Sequence, residues 1–285
     1  MISSFVYEDD LMISLTPIEN DNGRSYGDGY RGPSDPLPFI EDKIRMPLVG
    51  DLIERPRLDG LLADAADRYG TNLISGRAKT GKSTAAAAFA RAYARVAWYR
   101  LDPADIAWPA FSRYLAASVL ETTDQSADIP SADEHGPADA DSIARFLIRL
   151  LPNAYTGSAA HEPMLIVLDD VHHIFDASWF QNFFDLLLHS LPSSVHLLMV
   201  CRGKPPFPLW RLRSKQLINI IDEKVLAFTR AETEKLCRSL GVSHSRVLRA
   251  HDKTFGRVGK ILEFAAEEPR RRSRVRFEKM PMSVT

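Results

Sequence analysis

Two hydrophobic patterns alternate along the chain from residue 71 onward. Short runs that are almost continuously apolar predict β-strands covered on both faces. Longer segments between these runs have the apolar spacing or the alanine-rich composition of helices. This alternation is typical of a doubly wound α/β fold, in which helices cover both faces of a parallel sheet. The predicted strands are residues 71–75, 96–101, 164–169, 195–201 and 218–222, and the predicted helices between them are 83–96, 107–120, 142–153 and 178–191.

The pattern is helical throughout in the last part of the chain. Thr229 and Glu232 have the spacing of a capping box, in which each side chain binds the other residue's backbone N–H at a helix start. Two further helical segments follow without another strand between them. We therefore predict a core at residues 46–228 and a smaller helical subdomain, called the lid below, at residues 229–268.

Composition and charge narrow the class of protein. The 285 residues are 45% hydrophobic, which is enough for a sizeable core and argues against a wholly disordered chain. The formal net charge of −1 argues against a protein that coats nucleic acid through its overall field. The two cysteines, Cys201 and Cys237, are too few for a disulfide scaffold and favour a reducing compartment. Neither a signal peptide nor a membrane-spanning run is visible, so we expect a soluble, cytoplasmic chain.

Three segments differ from the rest in charge. Residues 1–45 hold nine acidic and four basic residues among turn-rich sequence, and we expect a disordered acidic arm there. Residues 121–142 hold seven acidic residues and neither lysine nor arginine, which predicts a long solvated loop. Residues 269–285 form a basic tail with five arginines between Arg270 and Arg276. We expect this tail to bind a polyanion or an acidic partner only weakly.

Residues 76–83 match the phosphate-loop motif G-x-x-x-x-G-K-[ST] in full, between a predicted strand and an alanine-rich helix. Gly76 and Gly81 let the backbone turn its N–H groups toward phosphate oxygens, and the helix N-terminus adds a positive dipole end. Lys82 is predicted to bind the β- and γ-phosphates, and Ser83 to supply a hydroxyl ligand for Mg²⁺. The residues assigned to nucleotide binding are Gly76, Arg77, Ala78, Lys79, Thr80, Gly81, Lys82, Ser83 and Thr84.

Two carboxylates lie at the end of the predicted strand 164–169. Asp169 is predicted to hold Mg²⁺ directly or through water, and Asp170 to polarise the attacking water. Next to a phosphate loop, this interpretation is favoured over ordinary solvated acids at a strand end. His172 and His173 follow, and no partner for a zinc site lies at ligand spacing. A histidine that orients a carboxylate or the base of the strand is favoured over a zinc ligand.

Arg202 follows the next predicted strand along the chain. Because ligands of open parallel sheets bind beyond the carboxyl ends of the strands, we predict that Arg202 reaches the γ-phosphate. The alternative is a surface salt bridge. Arg211 and Arg213 are weaker candidates on the same side of the sheet.

These motifs together resemble the nucleotide-binding module of the MalT-like, LuxR-type transcriptional regulators. Those regulators are AAA-like P-loop ATPases that belong to the signal-transduction ATPases with numerous domains. The resemblance covers about residues 46–265, and it implies a P-loop fold that binds ATP and Mg²⁺ and acts as an ATP/ADP switch. The matching segments, besides the phosphate loop, are Glu54–Leu58, Trp98–Asp102, Phe111 with Tyr114 and Leu115, Asp169–His172, Cys201–Arg213 and Leu226–Thr229.

The chain also departs from the pattern of these regulators. Arg77 stands where they usually have proline, Lys79 where they have glycine, and Arg257 where they have tryptophan. We expect the side chains of Arg77 and Lys79 to point to solvent. The regulators continue into a winged-helix domain, a helical-repeat sensor and a helix-turn-helix DNA reader, whereas this sequence stops at Thr285. Transcription activation is therefore not carried over, and we expect a protein partner to supply the sensor or effector function.

The sequence as a whole predicts an ATP-binding switch module that hydrolyses ATP slowly, with Lys82, Asp170 and Arg202 as its catalytic residues. One alternative is a nucleotide-binding interaction module without significant turnover that docks a partner protein. Another is a DNA-associated AAA-like ATPase. No N-K-x-D guanine motif follows the acidic strand, which favours ATP over GTP.

Overall fold

Five strands form one parallel sheet in the part of the chain that this computed structural model describes, which is residues 39–50, 53–122, 139–155 and 163–267. Every predicted strand is present, and its ends lie within one residue of the predicted ones. The strands are β1 Thr71–Ser75, β2 Arg95–Arg100, β3 Met164–Asp169, β4 Val195–Cys201 and β5 Asn219–Ile221. Their order in the sheet is β2-β3-β4-β1-β5, and all neighbouring pairs are parallel. The predicted α/β fold class is confirmed.

Helices follow most of the strands. The α-helices are α1 Pro56–Tyr69, α2 Lys82–Ala90, α3 Trp108–Leu120, α4 Ala140–Tyr155, α5 Phe180–Ser190, α6 Leu209–Ser214, α7 Glu223–Leu226, α8 Arg230–Ser239, α9 His244–Thr254 and α10 Val258–Ala266. Short 3-10 helices cover Glu41–Lys43, Pro103–Ile106 and Val171–Ile174. None of the helices in the described ranges is long and apolar enough to cross a membrane.

The predicted helix at 83–96 was too long at its C-terminal end. α2 stops at Ala90, because Arg95–Arg100 is the edge strand β2 and pairs with β3 along its whole length. Helix α1 was not predicted, although Leu58, Leu62 and Ala65 have helical spacing and are buried.

Helices α1 and α2 cover one face of the sheet. Ala86 and Ala87 of α2 are fully buried in a cluster with Leu62 of α1 and with strand residues such as Ile74 and Val200. The alanine side chains are small, so the backbone of α2 can approach the sheet closely. The helix that follows the phosphate loop is therefore fixed against the strands that carry the other candidate residues.

Aromatic side chains fill the opposite face, beneath α3, α4 and α5. Successive strand residues point to opposite faces, so Trp98 lies in the cluster with α2 whereas Tyr99 packs on Phe111 of α3. The Phe111 ring lies 4.6 Å from the Trp179 ring and 4.9 Å from the Phe183 ring, measured between centroids. These contacts fix α3 and α5 against the strand end that carries the two aspartates.

The last residues of the predicted disordered arm are folded. Lys43, in a 3-10 helix, is 8% exposed, and its ammonium lies 2.7 Å from Asp105 and 2.9 Å from Asp102. The same ammonium lies 4.6 Å from the centre of the Tyr114 ring. The arm boundary at residue 45 was therefore placed too late, because a buried lysine with two carboxylate partners ties this segment to the core. The rest of the arm, residues 123–138 of the acidic loop and the basic tail lie outside the described residues.

The helices after residue 229 have a hydrophobic cluster of their own. Cys237, Val247, Ile261 and Phe264 from α8, α9 and α10 are buried together with Phe228. The predicted capping box is confirmed, since Thr229 Oγ1 accepts from Glu232 N at 3.2 Å and Glu232 Oε2 accepts from Thr229 N at 2.8 Å. We continue to call this part the lid.

A glycine fixes the turn between α9 and α10. Gly256 has a φ of +69°, and a Cβ atom there would lie 2.1 Å from the carbonyl oxygen of Phe228. The Phe228 N–H donates to the Gly256 carbonyl at 2.8 Å, so the two backbones are directly joined. Only glycine fits this left-handed position without moving the start of the lid.

We predict that Gly256→Ala destabilises the protein by at least ~1–3 kcal/mol, the usual cost of such backbone strain. Urea unfolding monitored by circular dichroism measures this change. Gly60→Ala is the matched control, because Gly60 lies within α1 and nothing lies within 4 Å of a Cβ atom there. The control should stabilise the protein by roughly 0.5–1 kcal/mol. Equal stability of the Gly256→Ala variant and the wild type would contradict this account of the turn.

Candidate active site

The carboxyl ends of β1, β3 and β4 bring the predicted site residues to one edge of the sheet. Strand β4 lies between β1 and β3, and Ser75 at the end of β1 pairs with Cys201 at the end of β4. The phosphate loop follows β1, the two aspartates end β3, and Arg202 follows β4. Three segments that are far apart in sequence therefore meet at the N-terminus of α2.

The phosphate loop contains two residues with left-handed backbone conformation. Gly81 has a φ of +82° and Lys79 a φ of +60°. Glycine adopts this conformation freely, whereas lysine does so at a cost. Thr80 Oγ1 donates to the carbonyl oxygen of Arg77 at 2.8 Å, which closes the loop on itself.

Lys82 points into the loop. Its side chain is largely buried, and Nζ donates to the carbonyl oxygen of Arg77 at 2.8 Å. Burial lowers the pKa of the Lys82 ammonium, while Asp170 acts in the opposite direction. A buried ammonium whose described hydrogen bond is to a neutral carbonyl is well placed to exchange that partner for a phosphate oxygen.

Ser83 and Asp169 meet across the sheet edge. Ser83 Oγ donates to Asp169 Oδ1 at 3.0 Å, although β1, which leads into the loop before Ser83, is not a neighbour of β3. Burial, and then the adjacent Asp170, raise the pKa of Asp169 to about 6. A hydroxyl and a carboxylate are the hard oxygen donors that Mg²⁺ prefers, so these two residues fit the predicted metal site.

Asp170 has a strained backbone and two polar neighbours. Its φ is +58°, a left-handed conformation that aspartate tolerates better than most residues. One carboxylate oxygen, Oδ1, lies 3.7 Å from Nδ1 of His172 and 3.9 Å from Nε of Arg202. Burial, and then His173, lower the pKa of His172. His172 Nδ1 lies near the carboxylate but has no hydrogen-bond partner among the described residues, so it does not hydrogen-bond this carboxylate, and Arg202 lies near the same oxygen.

Arg211 and Arg213 lie on α6, and both are exposed. Arg211, Phe184 and Leu212 line a cavity of about 210 Å³. Within the described ranges, no ion pair or hydrogen bond joins either arginine side chain to the phosphate loop or to the aspartates. The structure therefore does not bring them into the cluster with Arg202.

Glu223, which no sequence motif marks, contacts the phosphate loop from the start of α7. Its carboxylate accepts from Arg77 N at 3.2 Å, from Nε at 3.0 Å and from Nη2 at 2.7 Å. Arg77 was expected to point to solvent, and its side chain is 63% exposed, but the ion pair with Glu223 was not predicted. The only sequence signal was the unusual arginine in the loop, and its partner lies 146 positions away.

A cavity of about 760 Å³ adjoins the loop. Gly81 and Thr84 lie on one side, and Arg55, Phe228 and Val258 line other parts of it. The guanidinium of Arg55 lies 4.1 Å from the Phe228 ring centre, donates to the carbonyl of Leu226 at 2.7 Å, and leaves Nε without a partner among the described residues. An aromatic ring and a guanidinium-bearing side chain therefore border a space next to the candidate phosphate site.

The family described as AAA ATPase domain matches residues 52–200, more than half of the chain. The chain therefore belongs to the AAA ATPase domain family. The match includes the phosphate loop and both aspartates, and it ends before Arg202 and the lid.

Two solved structures show similarity to this chain. One is the Walker-type ATPase PABY2304 of Pyrococcus abyssi, at 10% identity and a TM-score of 0.47, over 75% of this chain and 67% of that chain. The other is a chain of the E. coli MS115-1 HORMA:CdnC:Trip13 complex, at 11% identity and a TM-score of 0.35, over 74% and 78% of the two chains.

Proposed function

We propose that this AAA-type ATPase domain binds ATP with Mg²⁺, hydrolyses it slowly, and acts as a switch of the MalT-like type. The observation that carries the proposal is the meeting of Lys82, Ser83 and Asp169 at one sheet edge, with Asp170 and Arg202 beside them. An ammonium, a hydroxyl–carboxylate pair and a guanidinium are the groups that phosphoryl transfer requires.

Each residue has a distinct role in the proposal. Lys82 leaves the carbonyl of Arg77 and binds the β- and γ-phosphates, while the loop N–H groups cradle them. Ser83 and Asp169 would hold Mg²⁺, which would neutralise charge on the phosphate oxygens. Asp170 orients the attacking water, and Arg202 lies beside its carboxylate.

The neighbouring cavity suits the nucleoside part of the ligand. A base that extends from the phosphate loop past Thr84 would reach the space bordered by Arg55 and Phe228. The volume of about 760 Å³ lies in the range of small-molecule sites. Because both the core and the lid line this cavity, a nucleotide bound there would contact both. The position of the lid would then depend on which nucleotide is bound.

The alternative is a nucleotide-binding module that docks a partner protein without useful turnover. One observation favours it: Asp170 Oδ1 lies near both His172 and Arg202, which compete with a water for the same oxygen. Phosphate release from ATP with Mg²⁺ distinguishes the two functions, because only the switch that hydrolyses ATP produces phosphate above the rate of a Lys82→Ala control.

We predict that Asp170→Asn lowers kcat by roughly 100-fold, as expected for loss of a general base, while ATP affinity changes little. Asparagine tolerates the left-handed backbone of this position, so the fold should persist. Single-turnover phosphate release and equilibrium titration measure the two quantities. Asp176→Asn, a change at an exposed carboxylate six positions further on, is the control and should leave both unchanged. Equal losses of affinity and turnover in Asp170→Asn would make Asp170 a metal ligand instead.

We also predict that ATP and ADP produce different hydrogen exchange in the lid, residues 229–267, and that Arg202→Ala removes the difference. A charge-assisted bond between Arg202 and the γ-phosphate would change the population ratio of two lid positions by roughly 10–150-fold. Exchange is compared with ADP and with a non-hydrolysable ATP analogue. Arg213→Ala is the matched control, because that arginine is exposed on α6 and should leave the difference intact. The same difference in wild type and Arg202→Ala would exclude Arg202 as the sensor.

A further inference from the structure

One carboxylate joins the phosphate loop to the lid. Glu223 Oε1 accepts from Arg77 Nη2 at 2.7 Å and lies 3.3 Å from Arg257 Nε, while Oε2 accepts from Arg77 N and Nε. Arg77 belongs to the loop, and Arg257 precedes the first residue of α10. Glu223 therefore lies between two cations that would otherwise face each other without an anion.

The start of α10 also contacts the loop directly. Gly259 N donates to the carbonyl oxygen of Lys79 at 3.0 Å, and a Cβ atom at Gly259 would lie 2.8 Å from that oxygen. A Cβ atom on Gly81 would lie 3.0 Å from Val258 Cγ1. Loop and lid are in van der Waals contact here, so a change in the loop's shape has to be matched by α10.

We propose that Glu223 is a positioning residue that couples the phosphate loop to the lid, by holding Arg77 and Arg257 on the same carboxylate. The inference rests on the proposed nucleotide site and adds to it the route by which loop and lid affect each other. Loss of the carboxylate would leave Arg77 and Arg257 to repel each other, which separates α10 from the loop.

The Arg77 peptide is held at both ends. Its N–H donates to Glu223, and its carbonyl accepts from Lys82. When Lys82 turns to a phosphate, the contacts from Glu223 to the N–H and from Thr80 to the carbonyl remain to keep this part of the loop in place. The hydrogen bonds from Arg77 lower the pKa of Glu223 to about 2, so the carboxylate stays charged at neutral pH.

A double-mutant cycle on ATP affinity tests the coupling. Glu223→Gln and Arg257→Gln should each weaken ATP binding by about 2- to 5-fold, the range expected for a partly exposed ion pair. In the Glu223→Gln background, Arg257→Gln should cause no further loss, because its effect passes through Glu223. A direct attraction between Arg257 and the nucleotide would instead give the same loss in both backgrounds, and that result would overturn the proposal.

A nucleotide-free measurement accompanies the cycle. Hydrogen exchange in residues 76–83 should be faster in Glu223→Gln and in Arg257→Gln than in the wild type. Arg230→Gln is the matched control, because Arg230 is a lid arginine paired with Asp252 inside the lid, and it should change neither exchange nor affinity. Unchanged loop exchange in the first two variants would also overturn the proposal.

Two further comparisons keep the result unambiguous. Circular dichroism and thermal unfolding establish whether each variant is folded. If Glu223→Gln does not fold, Glu223→Asp replaces it in the cycle. The shorter carboxylate should give a smaller loss than glutamine. If the wild type binds no nucleotide, the proposed function fails, whereas the exchange experiment still decides whether Glu223 joins loop and lid.

Discussion

The parallel pairing that places β4 between β1 and β3 is the constraint on which the candidate site depends. It brings the carboxyl ends of three strands to one edge, so that the loop after β1 faces the aspartates at the end of β3. The hydrogen bond from Ser83 to Asp169 links the loop after β1 to the end of β3, although β4 lies between these two strands in the sheet. Helix α2 keeps Ser83 in position because the buried alanines of the helix pack tightly on the sheet. Packing in the core therefore sets the geometry of the polar groups at the edge.

The lid extends this arrangement beyond the sheet. Its own hydrophobic cluster makes it a packed unit, and its attachment to the core passes through Phe228, Gly256 and the start of α10. Because Gly259 and Val258 contact the phosphate loop, the lid adjoins the loop at the point where a nucleotide would be held. The salt bridges at Glu223 add charge to a contact that is otherwise made by backbone and small side chains.

Local sequence was enough to predict the strands, the phosphate loop and the capping box at Thr229. Each of these depends on residues close together in the chain: an apolar run, a glycine spacing, or a hydroxyl three positions before a glutamate. The partner of Arg77 was not predictable in this way, since Glu223 is 146 residues away and carries no motif. The burial of Lys43 was missed for the same reason, because Asp105 lies 62 residues later. Long-range ion pairs of this kind depend on the folded topology.

In the proposed function, the edge of the sheet binds the phosphates of a nucleotide through Lys82. Isothermal titration of the wild type and Lys82→Ala with ATP and Mg²⁺ measures this binding, with Lys215→Ala as the control for loss of an exposed lysine outside the loop. We expect Lys82→Ala to weaken ATP binding by roughly 10–150-fold, because a charge-assisted hydrogen bond is lost, while thermal unfolding shows that the fold persists. ATP affinity that is the same in Lys82→Ala as in the wild type would contradict it.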